Sequence, residues 1–104
     1  MQRRPYGNTN IDLSILGFGG ILVMDCETKD ASRMVAKSVD CGINYFDVAP
    51  SYGNAEERLG QALEPYRKEV FLACKTGERN GEKAERELMQ SLKNMKTDYF
   101  DLYQ

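Results

Sequence analysis

The sequence predicts an α/β fold with a parallel sheet, led by a short β-hairpin. Three observations carry this. Along the 104 residues the hydrophobic period switches between about two and about 3.6 residues. Clusters of turn-forming residues mark each switch. One run, Val70-Phe71-Leu72-Ala73-Cys74, is continuously apolar, as expected of a parallel strand covered on both faces.

Tyr6-Gly7-Asn8-Thr9-Asn10 is a turn cluster between two short extended stretches. Asn10 is a residue that tolerates positive φ there. Leu13-Ser14-Ile15-Leu16-Gly17-Phe18 reads as a buried strand closed by Gly19 and Gly20. Residues 30–41 read as a helix. Ala31, Met34, Val35, Ser38 and Val39 share one face, and Gly42 stops it as a C′ residue. Ile43-Asn44-Tyr45-Phe46 is the next strand and runs into the loop 47–53. Asn54 reads as an N-cap with Glu57 completing a capping box, while Glu56 suits the positive end of the helix dipole. Ala55, Leu59, Ala62, Leu63 and Tyr66 form the stripe of this second helix, and Pro65 marks its end. The strand 70–74 stops at Lys75. Gly81 opens a third helix with Ala84, Leu88, Ser91, Leu92 and Met95 on one side. Residues 99–104 form a fourth strand, on which the chain ends. Strands alternating with helices imply right-handed crossovers. Half of a (β/α)8 barrel and a small doubly wound sheet both satisfy this order. A bare last strand would leave a sheet edge and one face uncovered, so a partial domain is expected.

Composition excludes several functions. Fourteen basic and sixteen acidic residues leave a net charge of −2, with no basic stripe to displace counterions from nucleic acid. No stretch of about 18 apolar residues could span a membrane. The polar start Met1-Gln2-Arg3-Arg4-Pro5 has no apolar h-region, so a cytoplasmic location is expected. There is no histidine. Ser-His and Cys-His nucleophilic pairs and His-based zinc sites are thereby ruled out, and no metal is expected. Cys26, Cys41 and Cys74 are widely spaced and read as buried, reduced thiols.

The chemistry concentrates at strand ends. Asp47 follows one predicted strand, Lys75 the next, and Tyr52 lies in the loop after Asp47. In a parallel α/β barrel, active sites are built at these carboxyl ends. By parity Ile43, Tyr45 and Asp47 share one strand face, and Phe71, Ala73 and Lys75 share another. A free tyrosine has a pKa of about 10, too high for an efficient acid at neutral pH. A neighbouring lysine cation lowers such a pKa, and an aspartate keeps the lysine charged and in place. That set would let Tyr52 act as general acid toward a carbonyl oxygen. On spacing alone, however, a lysine and an aspartate at strand ends read first as a salt bridge.

Other motifs attract simpler readings. Gly17-Phe18-Gly19-Gly20 lacks the third spaced glycine of a dinucleotide fingerprint. Asp101 lies opposite in parity to Phe100, Leu102 and Gln104, and should find a structural partner, a helix N-terminus or an arginine. Lys75, Arg79 and Lys83 could attract phosphate or form a solvated loop. The acidic residues 78–87 interleave with Lys and Arg and read as an ion-paired helix surface.

The run Phe46-Asp47-Val48-Ala49-Pro50-Ser51-Tyr52-Gly53, with Glu56-Glu57-Arg58-Leu59-Gly60 and Ala62-Leu63, resembles the signature of the aldo-keto reductase superfamily. Gly17-Phe18-Gly19-Gly20 resembles its first-strand motif and Lys75-Thr76 its lysine motif. Ser91-Leu92 followed by residues 97–104 resembles the approach to its histidine motif, and the turn at residues 6–10 its barrel-closing hairpin. The resemblance covers nearly the whole chain in one colinear order.

It implies the N-terminal half of a (β/α)8 TIM barrel, preceded by a short β-hairpin. Residues 1–104 would be a partial NADP-dependent oxidoreductase domain, cut after the fourth barrel strand. The implied activity is reduction of a small-molecule aldehyde or ketone with NADP(H). By the same resemblance Asp47 pairs with the lysine, Tyr52 is the general acid, and Lys75 tunes it. The histidine of the family's tetrad would follow about two residues after Gln104, at a strand end. Gly20, Ile21 and Asp47 would border the nicotinamide. A whole barrel needs about 250 residues, so these 104 are expected to be inactive alone. An iron–sulfur cluster, carried by some reductases with similar motifs, could belong only to a part beyond them. Two alternatives are a non-catalytic auxiliary protein of the same family and a half-barrel that associates with itself through uncovered strands.

Overall fold

The computed structural model describes residues 1–104. Two strands, β1 (Arg3–Pro5) and β2 (Asp12–Ser14), pair antiparallel with Arg3 opposite Ser14. The turn between them uses left-handed backbone at Gly7 (φ 55°) and Asn10 (φ 62°), the conformation expected of Asn10.

The single strand expected over residues 13–18 is two strands. Ser14 donates its N–H to Asn44 Oδ1 at 2.7 Å and its hydroxyl to the Leu16 carbonyl at 2.6 Å. These bonds end β2 and turn the chain. Ile15 and Leu16 are left 50% and 57% exposed, and extended structure resumes at β3 (Phe18–Gly19). A run of apolar residues cannot distinguish one buried strand from two short ones.

A four-stranded sheet follows, in the order β3, β4 (Tyr45–Asp47), β5 (Phe71–Cys74), β6 (Leu102–Tyr103). All three pairings are parallel. The crossovers are α1 (Thr28–Asp40), α2 (Ala55–Leu63) and α3 (Gly81–Met95). Each helix packs against the next. Spatial order equals sequence order with no switch point, so the doubly wound alternative falls and the sheet is barrel wall. No helix is long and apolar enough to cross a membrane.

Strand parity divides the side chains. Phe46, Leu72 and Cys74 face the helices and are fully buried with Val35, Leu59 and Leu63. Tyr45, Asp47, Phe71, Ala73 and Lys75 occupy the other face. At the strands' N-terminal end, the hairpin closes that face. The Tyr6 ring meets Phe71 edge-on at 5.2 Å, and Tyr45 stacks on Phe71 at 5.6 Å.

The helix ends show where local rules hold. At the end of α1, Gly42 (φ 95°) donates to Val39 O and Ile43 donates to Ser38 O, a Schellman stop. Asn80 caps α3, accepting from the N–H groups of Glu82 and Lys83 at 2.9 and 3.2 Å. The capping box expected at α2 is absent. The Asn54 side chain makes no bond to its own helix and instead accepts from Asp25 N–H at 2.8 Å, because a neighbouring loop offers it a backbone donor.

Helices α2 and α3 touch at Gly60. A Cβ there would lie 2.5 Å from Met95 Cα and 2.6 Å from its carbonyl oxygen. Replacing a mid-helix glycine by alanine normally gains about 1 kcal/mol. Overpacking against backbone costs roughly 1–3 kcal/mol, at the upper end when no flexible side chain can yield. Gly60→Ala is therefore expected to destabilise by about 2 kcal/mol, read as a lower urea midpoint at unchanged slope. An unchanged or raised midpoint would show that the two helices are not held this close.

Candidate active site

Asp47 ends β4, and Lys75 directly follows β5. Asp47 pairs in register with Ala73, so Lys75 projects from the same face two positions on. Its Nζ donates to Asp47 Oδ2 at 2.9 Å, with side chains 29% and 32% exposed. Partial burial alone would lower the lysine pKa. The hydrogen bond and charge of Asp47, with the Tyr52 hydroxyl, outweigh it and raise Lys75 above its ordinary 10.5. On the basic side the stabilisation from this pair is thus still complete as pH nears 10.5 and is lost as pH climbs through the raised folded value.

Tyr52 sits in the turn before α2. Its N–H donates to Ala49 O at 3.2 Å, and its carbonyl accepts from Ala55 N–H at 2.9 Å. The root of the loop is anchored where Val48 N–H donates to Ala73 O at 3.0 Å. Lys75 Nζ lies 5.5 Å from the centre of the Tyr52 ring. The three residues singled out from sequence thus converge. Beside Tyr52 and Lys75 is an open cleft of about 280 Å³ that also reaches Thr76 and Glu87.

The second oxygen of Asp47, Oδ1, is buried with no hydrogen-bond partner. Beside it in register is Gly19, where a Cβ would meet nothing within 4 Å. Gly20 differs. A Cβ there would stand 2.7 Å from the Asp47 carbonyl and 2.9 Å from Val48, so its lack of a side chain lets the strand ends pack. Ile21 stands 52% exposed in the 3-10 turn Gly20–Val23. No group of three or more His, Cys, Asp or Glu side chains assembles as a metal-binding set.

Two carboxylates at the site escaped the sequence reading. Glu87 Oε1 accepts from Thr76 Oγ1 at 2.6 Å and from Gly77 N–H at 2.9 Å, fastening the loop after Lys75 to α3. Glu56 is 4% exposed; it accepts from Asn94 Nδ2 at 3.0 Å and from the Cys74 thiol at 3.6 Å. The signal was present in both cases. Each acid falls on its helix's apolar stripe, three or four residues from Leu59 or Ser91. The expected ion-paired surface over residues 78–87 does not form. The chain's two ion pairs are Lys75–Asp47 and Arg67–Asp101, because Glu87 turns inward to hydroxyl and amide donors. Lys75 is taken up by Asp47, while Arg79 and Lys83 are exposed. Asp101 has the expected arginine partner at 3.3 Å and also accepts from Leu72 N–H at 2.8 Å.

The thiols divide by position. Only Cys74 is buried; Cys26 is intermediate, and Cys41 is exposed because it caps the outer end of α1. Burial, reinforced by Glu56, pushes the Cys74 pKa up to about 11.

Comparison with known proteins places this arrangement. The model of the Aldo/keto reductase family matches residues 16–104. The uncharacterized oxidoreductase YqkF of Bacillus subtilis is 32% identical over 100% of this chain and 38% of its own length. The NADH-specific methylglyoxal reductase of Escherichia coli is 30% identical over 99% of this chain and 41% of its own. An NADPH-dependent codeinone reductase of Papaver somniferum is 29% identical over 92% and 33%. A solved Pseudomonas aeruginosa protein assigned as an aldo-keto reductase superposes with TM-score 0.89 at 32% identity, over 97% of this chain and 44% of that one. The chain therefore spans less than half the length of the relatives it matches.

Alkylation at pH 8 is expected to mark Cys41 first and to spare Cys74 until the chain unfolds, since the thiolate is the nucleophile. Mass mapping of the alkylated residues reads this order. Early labelling of Cys74 would contradict its burial.

Proposed function

The chain belongs to the aldo/keto reductase family, and we propose that its protein reduces an aldehyde or ketone with a nicotinamide cofactor, Tyr52 giving the proton. The observation that carries this reading is Lys75 Nζ, held 2.9 Å from Asp47 Oδ2 while facing the Tyr52 ring at 5.5 Å. A lysine in only a structural ion pair would have no need of a phenol beside it.

The residues present fit such a cofactor. Asp47 Oδ1 is a buried acceptor without a donor, the kind of atom a cofactor hydroxyl satisfies. The open space at Gly19 lies next to it. Asp47, Gly20 and Ile21 are the residues we assign to holding the nicotinamide end. NADP(H), when bound, supplies the hydride that the carbonyl carbon accepts. The chain's own residues do the rest. Tyr52 passes its hydroxyl proton to the carbonyl oxygen, giving the alcohol. The Lys75 ammonium stabilises the negative charge left on the tyrosine oxygen, and Asp47 keeps that ammonium in place. General-acid assistance of this kind contributes about 10²–10⁴-fold. Residues 1–104 are assigned to the first half of the catalytic barrel, inactive without the second. The resemblance of the motifs implies NADP(H). Among the relatives, one is named NADPH-dependent and another NADH-specific. Three free thiols suit a reducing, cytoplasmic setting.

Tyr52→Phe in the full-length protein is expected to lower kcat by about 10²–10⁴-fold while calorimetric affinity for NADPH stays near wild type. Retained turnover would remove Tyr52 as the acid. Lys75→Met should cost a comparable factor. With Lys75 raised above 10.5, its charge persists throughout neutral pH. The kcat profile should therefore show no inflection from Lys75 until pH exceeds that value, and a Lys75 ammonium seen by NMR to titrate near neutrality would contradict the geometry.

A further inference from the structure

Residues 20–26, between β3 and α1, are tied to the Tyr52 turn by two side chains that neglect their ordinary local roles. Asn54 stands at the N-cap of α2, where its carbonyl accepts from Arg58 N–H at 3.1 Å, yet its side chain makes no capping bond to that helix. Its Oδ1 accepts instead from Asp25 N–H at 2.8 Å. Arg58, one helical turn later on the same face, forms no ion pair, and its Nε donates to the Cys26 carbonyl at 2.8 Å. Two successive residues of the loop are thus gripped by one donor and one acceptor on α2. Asp25 is held at φ 62°, a left-handed conformation that side chains seldom adopt unless the surroundings impose it. Gly53, also left-handed at φ 55°, completes the fit. A Cβ there would approach Met24 Cγ to 3.0 Å. Val23 is fully buried beneath the loop.

Asn54 is two residues from Tyr52, and Ala55 N–H already bonds the Tyr52 carbonyl. The loop carrying Gly20 and Ile21 and the turn carrying Tyr52 are therefore one mechanical unit. We propose that Asn54 and Arg58 are positioning residues, holding residues 20–26 in fixed relation to Tyr52 so that the cofactor-side wall and the proton donor keep their spacing. This rests on the carbonyl-reductase reading above. A site whose supporting contacts are loose loses rate and affinity through small displacements.

The test uses the full-length protein with Asn54→Ala, Asn54→Asp and Arg58→Met. Hydrogen exchange reads the loop directly and needs no activity. In Asn54→Ala, the Asp25 amide should exchange at least about tenfold faster, with α1 and α3 unchanged. NADPH affinity and KM should weaken by roughly 5- to 10-fold, the scale of one lost hydrogen bond, with kcat falling less. Asn54→Asp retains the acceptor and should restore both. Arg58→Met should repeat the pattern, and it decides the matter if Asn54→Ala does not fold. Unchanged exchange at residues 24–26 overturns the clamp. Faster exchange with wild-type NADPH affinity, in a protein that turns over, overturns the positioning role while the reductase reading stands. A wild-type protein that neither binds NADPH nor reduces aldehydes overturns that reading, and the positioning role with it.

Discussion

The in-register parallel pairing of β4 with β5 is the constraint on which the candidate site depends. Tyr45 pairs with Phe71 and Asp47 with Ala73, so every second residue of both strands shares a face. A slip of one residue would turn Lys75 toward the helices and Cys74 toward the open face, exchanging an ammonium with a buried thiol. The two faces resist this differently. The helix side is dry, with Phe46, Leu72 and Cys74 fully buried. The other side tolerates a half-exposed ion pair at one end and is plugged by aromatic rings at the other. Misregister would strand a charge among apolar side chains, at a cost larger than any gain in strand pairing.

Two carboxylates, Glu56 buried and Glu87 part-buried, set the loops rather than the strands. Glu56 and Glu87 reach inward from α2 and α3, and their oxygens are met by amide, hydroxyl and thiol donors. A buried carboxylate without donors would be costly, and with them it orders whatever it bonds. Glu87 thereby orders the residues just after Lys75, and Glu56 ties α2 to α3 and to the strand end at Cys74. The same principle governs Arg67, which bonds Asp101, Thr97 and the carbonyls of Val70 and Tyr99. The two ends of β5 and the approach to β6 are thus fastened by long polar side chains from neighbouring elements. Chemistry at Asp47, Tyr52 and Lys75 depends on that rigidity, because a proton donor and a charge partner act over ångströms.

Much of this molecule was legible in its residues. The order of elements, the hairpin turn at Asn10, the stop at Gly42, and the convergence of Asp47, Lys75 and Tyr52 follow from periodicity and from the rule that parallel strands present their carboxyl ends together. These are local or nearly local properties. Strand parity and helix pitch are carried by the backbone itself, so a few residues suffice to announce them. Family motifs added the barrel, where spacing alone admitted two sheet orders.

Tertiary structure decided whatever required a choice among equally good local partners. Asn54 and Asn80 stand at the same position before a helix, yet only Asn80 caps, since Asp25 N–H is within reach of Asn54. The apolar run 13–18 became two strands because Asn44, thirty residues away, offered hydrogen bonds to Ser14. Glu87 chose Thr76 and Gly77 over the cations along its own helix, and Cys41 was left in solvent where a buried thiol was expected. In each case the competing local interactions differ by about 1 kcal/mol or less. A partner delivered by the fold outweighs that difference, and nothing in the neighbouring sequence reveals which partner the fold will deliver.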